Sequence, residues 1–410
     1  MSVDRREFLL SAAAVAAAAP LGPVAADGAS PVMRDASALG AGVRADFPRA
    51  LSSVYLNSAA QHPLGLPMLR AMEKHLHYEV YGPGEDRQYF SRADQAALKT
   101  AFGRLINAEE DEIAFVQSTS DGENIIVAGM DLPGRGGNVV VDDLHFTTSL
   151  FMYKTLETRG LELRVVKHQD GAIPLEAMDK AIDRDTRLVS IALVSNINGY
   201  MHDAQAISTL AHEHGAYVYA DMIQAVGAVP LDMKALGIDF AAASTYKWLM
   251  AERGFGFLYV RRDLQDSVVP TTRWGHRQVT DFDRDKLTWI QRPGAARYET
   301  GNISEPLAAA VSASVRYISD LEVDNISQHA QKLIFRLQNE LPRLGYPSLT
   351  PAGTTTPIVA FRVADPNNAF DRVEANNIYV TISPHEKRMR VSVSVFNTGE
   401  DIDRLISALS

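Results

Sequence analysis

VSNINGYMHDAQAISTLAHEHGAYVYADMIQAVGAVPLDMKALGIDFAAASTYKWL, running from Val194 to Leu249, contains two short β-rich apolar runs that each deliver a charged group at their end. AYVYADMIQ, Ala216 to Gln224, reaches a carboxylate at Asp221, and AAASTYKWL, Ala241 to Leu249, reaches an amine at Lys247. Before them lie LVSIALVS and a helix-length segment, Ala204 to His214. The same alternation extends upstream: IAFV then Asp121 to Met130, NVVVD then Thr147 to Thr158, and LELRVV then Leu175 to Ile182. Downstream, FAAAS is followed by GFLYV. Strands alternating with helices predict an α/β architecture, a mostly parallel sheet flanked by helices on both faces.

The pattern changes near Pro306 to long helical stretches, Leu307 to Leu321 and Asn325 to Leu341, then β-like runs PIVAFRV and MRVSVSV and a final helix, Ile402 to Leu409. We therefore expect a large domain over residues 51–305 and a smaller α/β C-terminal domain over 306–410. Residues 27–50 are small, polar and Pro/Gly-containing, which predicts a linker or surface arm. Residues 1–26 combine a charged start containing Arg5 and Arg6, an Ala-rich apolar stretch and small residues before Ala26. That order is an export signal rather than a transmembrane helix, and it resembles a twin-arginine signal. It implies recognition by the twin-arginine export machinery, passage of folded cargo and a periplasmic location.

An acid and an amine at successive strand ends are what a pyridoxal phosphate (PLP) enzyme needs. The lysine forms a Schiff base with the cofactor aldehyde, and a buried carboxylate keeps the pyridine nitrogen protonated so that the ring accepts electrons. Either residue alone is ordinary, a strand-end cap or a solvated lysine. Together with the segments around them, they resemble the class V aminotransferase family, PLP enzymes of fold type I that include cysteine desulfurase-like, isopenicillin N epimerase-like and kynureninase-like members. The likeness spans Tyr55 to Leu405.

This resemblance implies a set of site residues. Thr119 and Ser120, in Ser118-Thr119-Ser120-Asp121-Gly122, match the phosphate loop, where a helix N-terminus offers N–H groups and hydroxyls; a plain helix cap would look the same. Ser244 matches a phosphate-binding serine, and Tyr246 stands where the family has histidine. Asn302, in Glu299-Thr300-Gly301-Asn302, falls in the loop that reaches the phosphate of a neighbouring subunit, which implies a homodimer. Asn196 and Gln224 match side chains that meet the ring hydroxyl, and Phe146 matches the stacking residue, with His145 one register away. Arg390 matches the arginine that grips the substrate carboxylate, a task suited to a planar guanidinium. Asn57 lines the substrate site.

The reading of the chemistry is a PLP enzyme acting at the α-carbon of an amino acid or amine-bearing peptide, with Lys247 as general base and Asp221 as the ring-nitrogen partner. Transamination is the first expectation. Epimerisation, lyase chemistry by β-elimination, oxidative decarboxylation and periplasmic tailoring of a natural product share its opening steps, and a cofactor-binding scaffold is the non-enzyme rival. The 410 residues contain no cysteine, and Asn376 to Arg390 is short where a desulfurase nucleophile loop would lie. Persulfide-forming cysteine desulfurase activity is accordingly expected to be absent.

Composition narrows the field further. At 46% hydrophobic and 22% charged residues the chain can bury a full core and is too polar for a polytopic membrane protein. A net charge of -10 offers no electrostatic reason for nucleic acid or an anionic membrane as partner. The glycines of Gly134-Arg135-Gly136-Gly137 and Gly254-Phe255-Gly256 precede strands, so neither opens a helix as a dinucleotide fingerprint does. His212 and His214 are two apart on a helix-length segment and point to different faces; no metal site is expected.

Overall fold

The computed structural model describes residues 39–270 and 274–410. The twin-arginine segment and residues 27–38 of the expected linker lie outside them. Seven strands form the main sheet: β1 (Ile113–Val116), β2 (Asn138–Asp142), β3 (Glu162–Val166), β4 (Thr186–Ala192), β5 (Tyr217–Asp221), β6 (Phe240–Ser244) and β7 (Gly256–Val260). Their spatial order is β1-β7-β6-β5-β4-β2-β3. β2 to β6 pair in parallel, while β7 runs antiparallel to both β6 and β1. The mixed α/β fold with a mostly parallel sheet is the architecture expected from the alternation.

Apolar continuity explains the layering. β1, β2, β6 and β7 are buried at every position, as strands covered by helices on both faces must be. β3 closes one edge with Glu162 and Arg164, and Arg164 pairs with Asp183 at 2.6 Å; charge on an edge strand discourages further pairing. Register aligns the carboxyl end of β5, Asp221, with Ala192 on β4 and Ala242 on β6. The ends of central parallel strands are where open α/β sheets form ligand crevices.

Helix α1 (Leu66–Tyr81) precedes the main sheet in the chain, and α2 (Thr119–Gly129) follows β1. A hairpin, β8 (Val279–Asp283) with β9 (Thr288–Gln291), projects Phe282, Trp289 and Ile290 into solvent. The long helices α3 (Glu305–Leu321) and α4 (Val323–Glu340) lead into a three-stranded antiparallel sheet of β10 (Ile358–Arg362), β11 (Thr381–Ser383) and β12 (Arg388–Ser392), with β12 central. This smaller sheet has its own apolar cluster, joined by Val54 and Leu56 from near the start of the described chain. Val54–Tyr55 pairs in parallel with Ile378–Tyr379.

The described end of residues 27–50 differs from a surface arm. Val43, Phe47 and Ala50 are fully buried, and Phe47 packs against His62, Tyr317 and Phe396. The polar composition around them concealed three core residues: Val43 and Phe47 flank the 3-10 turn Arg44–Asp46, and Ala50 lies on the short helix Pro48–Ser52, so no single helical period marks them. Among the described residues, no helix is long and apolar enough to cross a membrane.

Candidate active site

Three elements converge at the carboxyl edge of the main sheet. The N-terminus of α2 supplies Ser118, Thr119 and Ser120, β5 ends in Asp221, β6 ends in Ser244, and the turn after it supplies Tyr246 and Lys247. Phe146 and Ser149 complete the wall together with Glu123 and Ile223. α2 is held on the sheet by a reciprocal tie: Thr119 N–H donates to Ser244 Oγ at 2.9 Å, and Ser244 N–H donates to Thr119 Oγ1 at 2.9 Å. Ser118 caps the helix by accepting from Asp121 N–H. The helix can approach this closely because Gly122 faces β6; a Cβ there would lie 2.6 Å from the Cβ of Ala242.

Lys247 is 5% exposed, with Nζ 5.9 Å from the Phe146 ring centre and 5.6 Å from that of Tyr246. Burial lowers its pKa to about 8, opposed by the Asp221 carboxylate and aided by Arg390. The amine is thereby poised to exchange a proton near neutrality. The turn is tight: Met250 N–H donates to Lys247 C=O at 2.8 Å, and Met250 adopts a φ of 52°, a left-handed conformation that a buried side chain adopts at some cost. Asp221 is buried; burial raises its pKa to about 6, while the Ile223 N–H bound at 3.0 Å and the nearby Lys247 oppose the rise.

Arg390 is buried on β12. Its Nη1 donates to Asn196 C=O at 2.6 Å and its Nη2 to Thr381 Oγ1 at 3.2 Å, while its Nε has no partner. Thr381 in turn donates to Asn57 Oδ1 at 2.6 Å. Burial lowers the Arg390 pKa to about 10, helped by Arg388. Among the described residues no carboxylate pairs with this guanidinium, so it is a cation prepared for an anion from outside.

The structure thus brings together Lys247, Asp221, Thr119, Ser120, Ser244, Tyr246 and Phe146 around one cavity, and Arg390, Asn57 and Asn196 around one guanidinium. It also separates the two stacking candidates. Phe146 lines the cavity, whereas His145 is buried behind it, accepting from Phe146 N–H at Nδ1 and meeting Ser190 Oγ with Nε2 at 3.1 Å. Gln224 does not line the cavity: its amide donates to Ala59 C=O and accepts from Trp248 Nε1. Asn302 is exposed and apart from it, on a loop anchored by Glu299, which is ion-paired with Lys99 at 2.6 Å and Arg277 at 3.0 Å.

Sequence reasoning missed Glu123. It lines the cavity, is 2% exposed, and accepts from Ser149 Oγ at 2.6 Å, Tyr153 OH at 3.0 Å and Ser190 Oγ at 3.0 Å. Burial raises its pKa to about 7, with Asp221 adding to the rise. The signal was present, since Glu123 lies four residues after Thr119 on the same helical face. Away from the cavity, ligand atoms of His75, Glu79 and Glu305 lie within 4.8 Å of one another, a grouping that joins residues more than 200 positions apart in the chain.

A cofactor with a phosphate, a flat ring, a protonated ring nitrogen and an aldehyde fits this donor set. Amide groups at a helix start, an aromatic face, a buried carboxylate and a buried amine answer those four features in turn. Comparison with known proteins agrees. Residues 54–405 match the family described as aminotransferase class-V. A probable cysteine desulfurase of Methanothermobacter thermautotrophicus is 31% identical over 297 residues, covering 71% of this chain and 73% of the relative. The fold is shared with the apo structure of a cysteine desulfurase from Thermococcus onnurineus NA1, at 24% identity and a TM-score of 0.78, covering 89% of this chain and 96% of that one. It is shared too with a cystine C–S lyase in complex with its reaction product, cysteine persulfide, at 21% identity and a TM-score of 0.78, covering 88% and 98%.

Two expectations are corrected by these relatives. Transamination as the first choice is overturned, because the relatives are desulfurases rather than aminotransferases. The exclusion of persulfide-forming desulfurases is overturned as well. It assumed that a persulfide must form on a cysteine of the enzyme, whereas the sulfur of a small thiol can also hold one.

Proposed function

The chain belongs to the aminotransferase class-V family and its cofactor is PLP; on that basis we propose that it is a desulfurase-like carbon–sulfur lyase that splits the Cβ–S bond of a cystine-type amino acid. One observation carries the reading: a chain similar to cysteine desulfurases contains no cysteine. Sulfur leaving the substrate finds no thiol of this chain. A disulfide substrate brings its own acceptor, because the sulfur departs already bonded to the second half of the molecule. The named substrate and product of the C–S lyase with the same fold support this route.

Pyridoxal phosphate, when bound, supplies the electron sink that makes the substrate Cα proton removable. Thr119, Ser120, Ser244 and the start of α2 would hold its phosphate, Phe146 would cover one face and Asp221 would meet the ring nitrogen. Arg390 binds and orients the substrate carboxylate. Lys247 Nζ takes the Cα proton, the Cβ–S electron pair departs with sulfur as cysteine persulfide, and the three-carbon remainder takes up water to give pyruvate and ammonia. Cystine and one water thus account for all products, and no oxidant or reductant is consumed.

The test is holoenzyme with cystine, following pyruvate by a coupled assay and persulfide by cyanolysis. Pyruvate and persulfide should appear in equal amounts, and Lys247→Ala should slow both by roughly 10²–10⁴-fold. A product requiring an added keto acid, or inversion at Cα with no pyruvate, would overturn the reading.

Export and assembly are proposed on separate support. The order of Arg5, Arg6, apolar run and small residues supports export to the periplasm. The exposure of Asn302, outside the cavity of its own chain, supports a homodimer in which this loop serves the neighbouring site. Cell fractionation of an Arg5→Lys, Arg6→Lys variant and sedimentation of the parent would test these two points.

A further inference from the structure

A second cavity, of about 470 Å³, lies beside the Arg390 anchor. Its wall includes Arg362, Arg388, Glu386, Asp170 and Asn198, together with Leu144 and Ile197. The two cavities share no lining residue, but neighbouring positions of the chain link them. Ile197 and Asn198 follow Asn196, whose carbonyl holds Arg390, and Leu144 precedes Phe146 by two residues. Arg388 precedes Arg390 by two on β12, so both side chains leave the same face of the small sheet.

The charge arrangement leaves an exposed cation and an exposed anion on this wall without partners among the described residues. Arg362 on β10 stands directly opposite Arg388 in the antiparallel register, and like charges opposed across strands destabilise a sheet. Glu386 pairs with Arg388 at 2.6 Å, but Arg362 has no side-chain partner among the described residues. On the facing turn, Asp170 adopts a φ of 48° and its carboxylate has no described partner either. Asn198 is already spent, donating to Gly171 C=O and accepting from Tyr200 N–H. A free guanidinium and a free carboxylate therefore face one polar cavity.

We propose that this cavity is a subsite for a second α-amino-acid head group, with Arg362 and Arg388 taking its carboxylate and Asp170 and Glu386 its ammonium. The proposal rests on the lyase reading and narrows it to substrates with a zwitterion at both ends. Scale agrees: residues two apart on a strand are spaced by roughly 7 Å, and the two Cα atoms joined through a disulfide are about 4.4–6.8 Å apart. One half of cystine would sit at Arg390 for reaction, and the half that leaves as the persulfide would sit here.

The experiment compares kcat/KM for cystine with kcat/KM for S-(methylthio)cysteine, the methyl disulfide of cysteine, which has the same reacting half and persulfide leaving group and no second head group. The parent should prefer cystine by at least tenfold. Arg362→Ala, on an exposed side chain, should lower that ratio about tenfold, mainly through KM for cystine, and Arg362→Lys should recover part of it. Asp170→Asn, which keeps a residue tolerant of left-handed backbone, should lower the ratio as well. A parent that releases pyruvate from both substrates at similar efficiency, or variants whose ratio stays within threefold of the parent, would overturn the subsite and leave the lyase reading standing. No pyruvate from either substrate would overturn both.

Discussion

Glu123 places a second carboxyl group on the wall of the cavity that Asp221 also lines, and burial raises the proton affinity of both. The sign of the resulting pH dependence follows. A carboxyl whose pKa rises on folding stabilises the fold fully below its unfolded value, here 4.5, and loses that contribution as pH climbs through about 7. For Glu123 the loss is roughly 3 kcal/mol. Cofactor-free Glu123→Gln should therefore lose less stability than the parent between about pH 5 and 8, as read from urea midpoints with unchanged m-values. Parallel profiles for the two proteins would show that Glu123 keeps a constant charge over that range. Asp221 and Lys247 were legible in sequence because their chemistry sits at the ends of apolar runs. Glu123 was not, because reading the helix from Asp121 left its first turn, and the face shared by Thr119 and Glu123, unassigned.

At the level of elements, the position of α2 matters most, since its N-terminus forms one wall of the cavity. Gly122 allows that position by close approach rather than by unusual backbone geometry. Gly122→Ala should push α2 off β6, straining the Thr119–Ser244 tie at a cost of about 1–3 kcal/mol. We expect the PLP dissociation constant, titrated into apo protein, to rise at least fivefold. Removing the opposing methyl in Gly122→Ala with Ala242→Gly should restore it to within threefold; failure to restore it would place the effect in helix propensity instead of contact. The central strands were readable because burial on both faces leaves uninterrupted apolar runs such as FAAAS and NVVVD. The β8–β9 hairpin was not, because its residues 279–291 mix charges with exposed aromatic groups and carry no period that a core would impose.

Across the whole molecule, residues from near the start of the described chain tie the main sheet region to the C-terminal sheet. Arg44 pairs with Asp401 at 2.7 Å, Gly40 N–H donates to Val395 C=O, and Phe47 inserts among His62 from the site side, Tyr317 on α3 and Phe396 beyond β12. Local pattern could not reveal this, because the partners of Phe47 lie up to several hundred residues away and its own neighbourhood reads as polar. The substrate anchor depends on the same junction: Arg390 comes from the C-terminal sheet, while Lys247 and Asp221 come from the main one. Phe47→Ala leaves a cavity where these parts meet, and truncating a fully buried phenylalanine costs about 3–5 kcal/mol. If the junction makes them one cooperative unit, calorimetry of the variant should show a single unfolding transition at lower temperature, with cofactor absorbance lost in the same transition. Two separated transitions in the parent, with only the C-terminal one shifted by Phe47→Ala, would mean that each sheet is stable by itself and that the junction positions Arg390 without holding the molecule together.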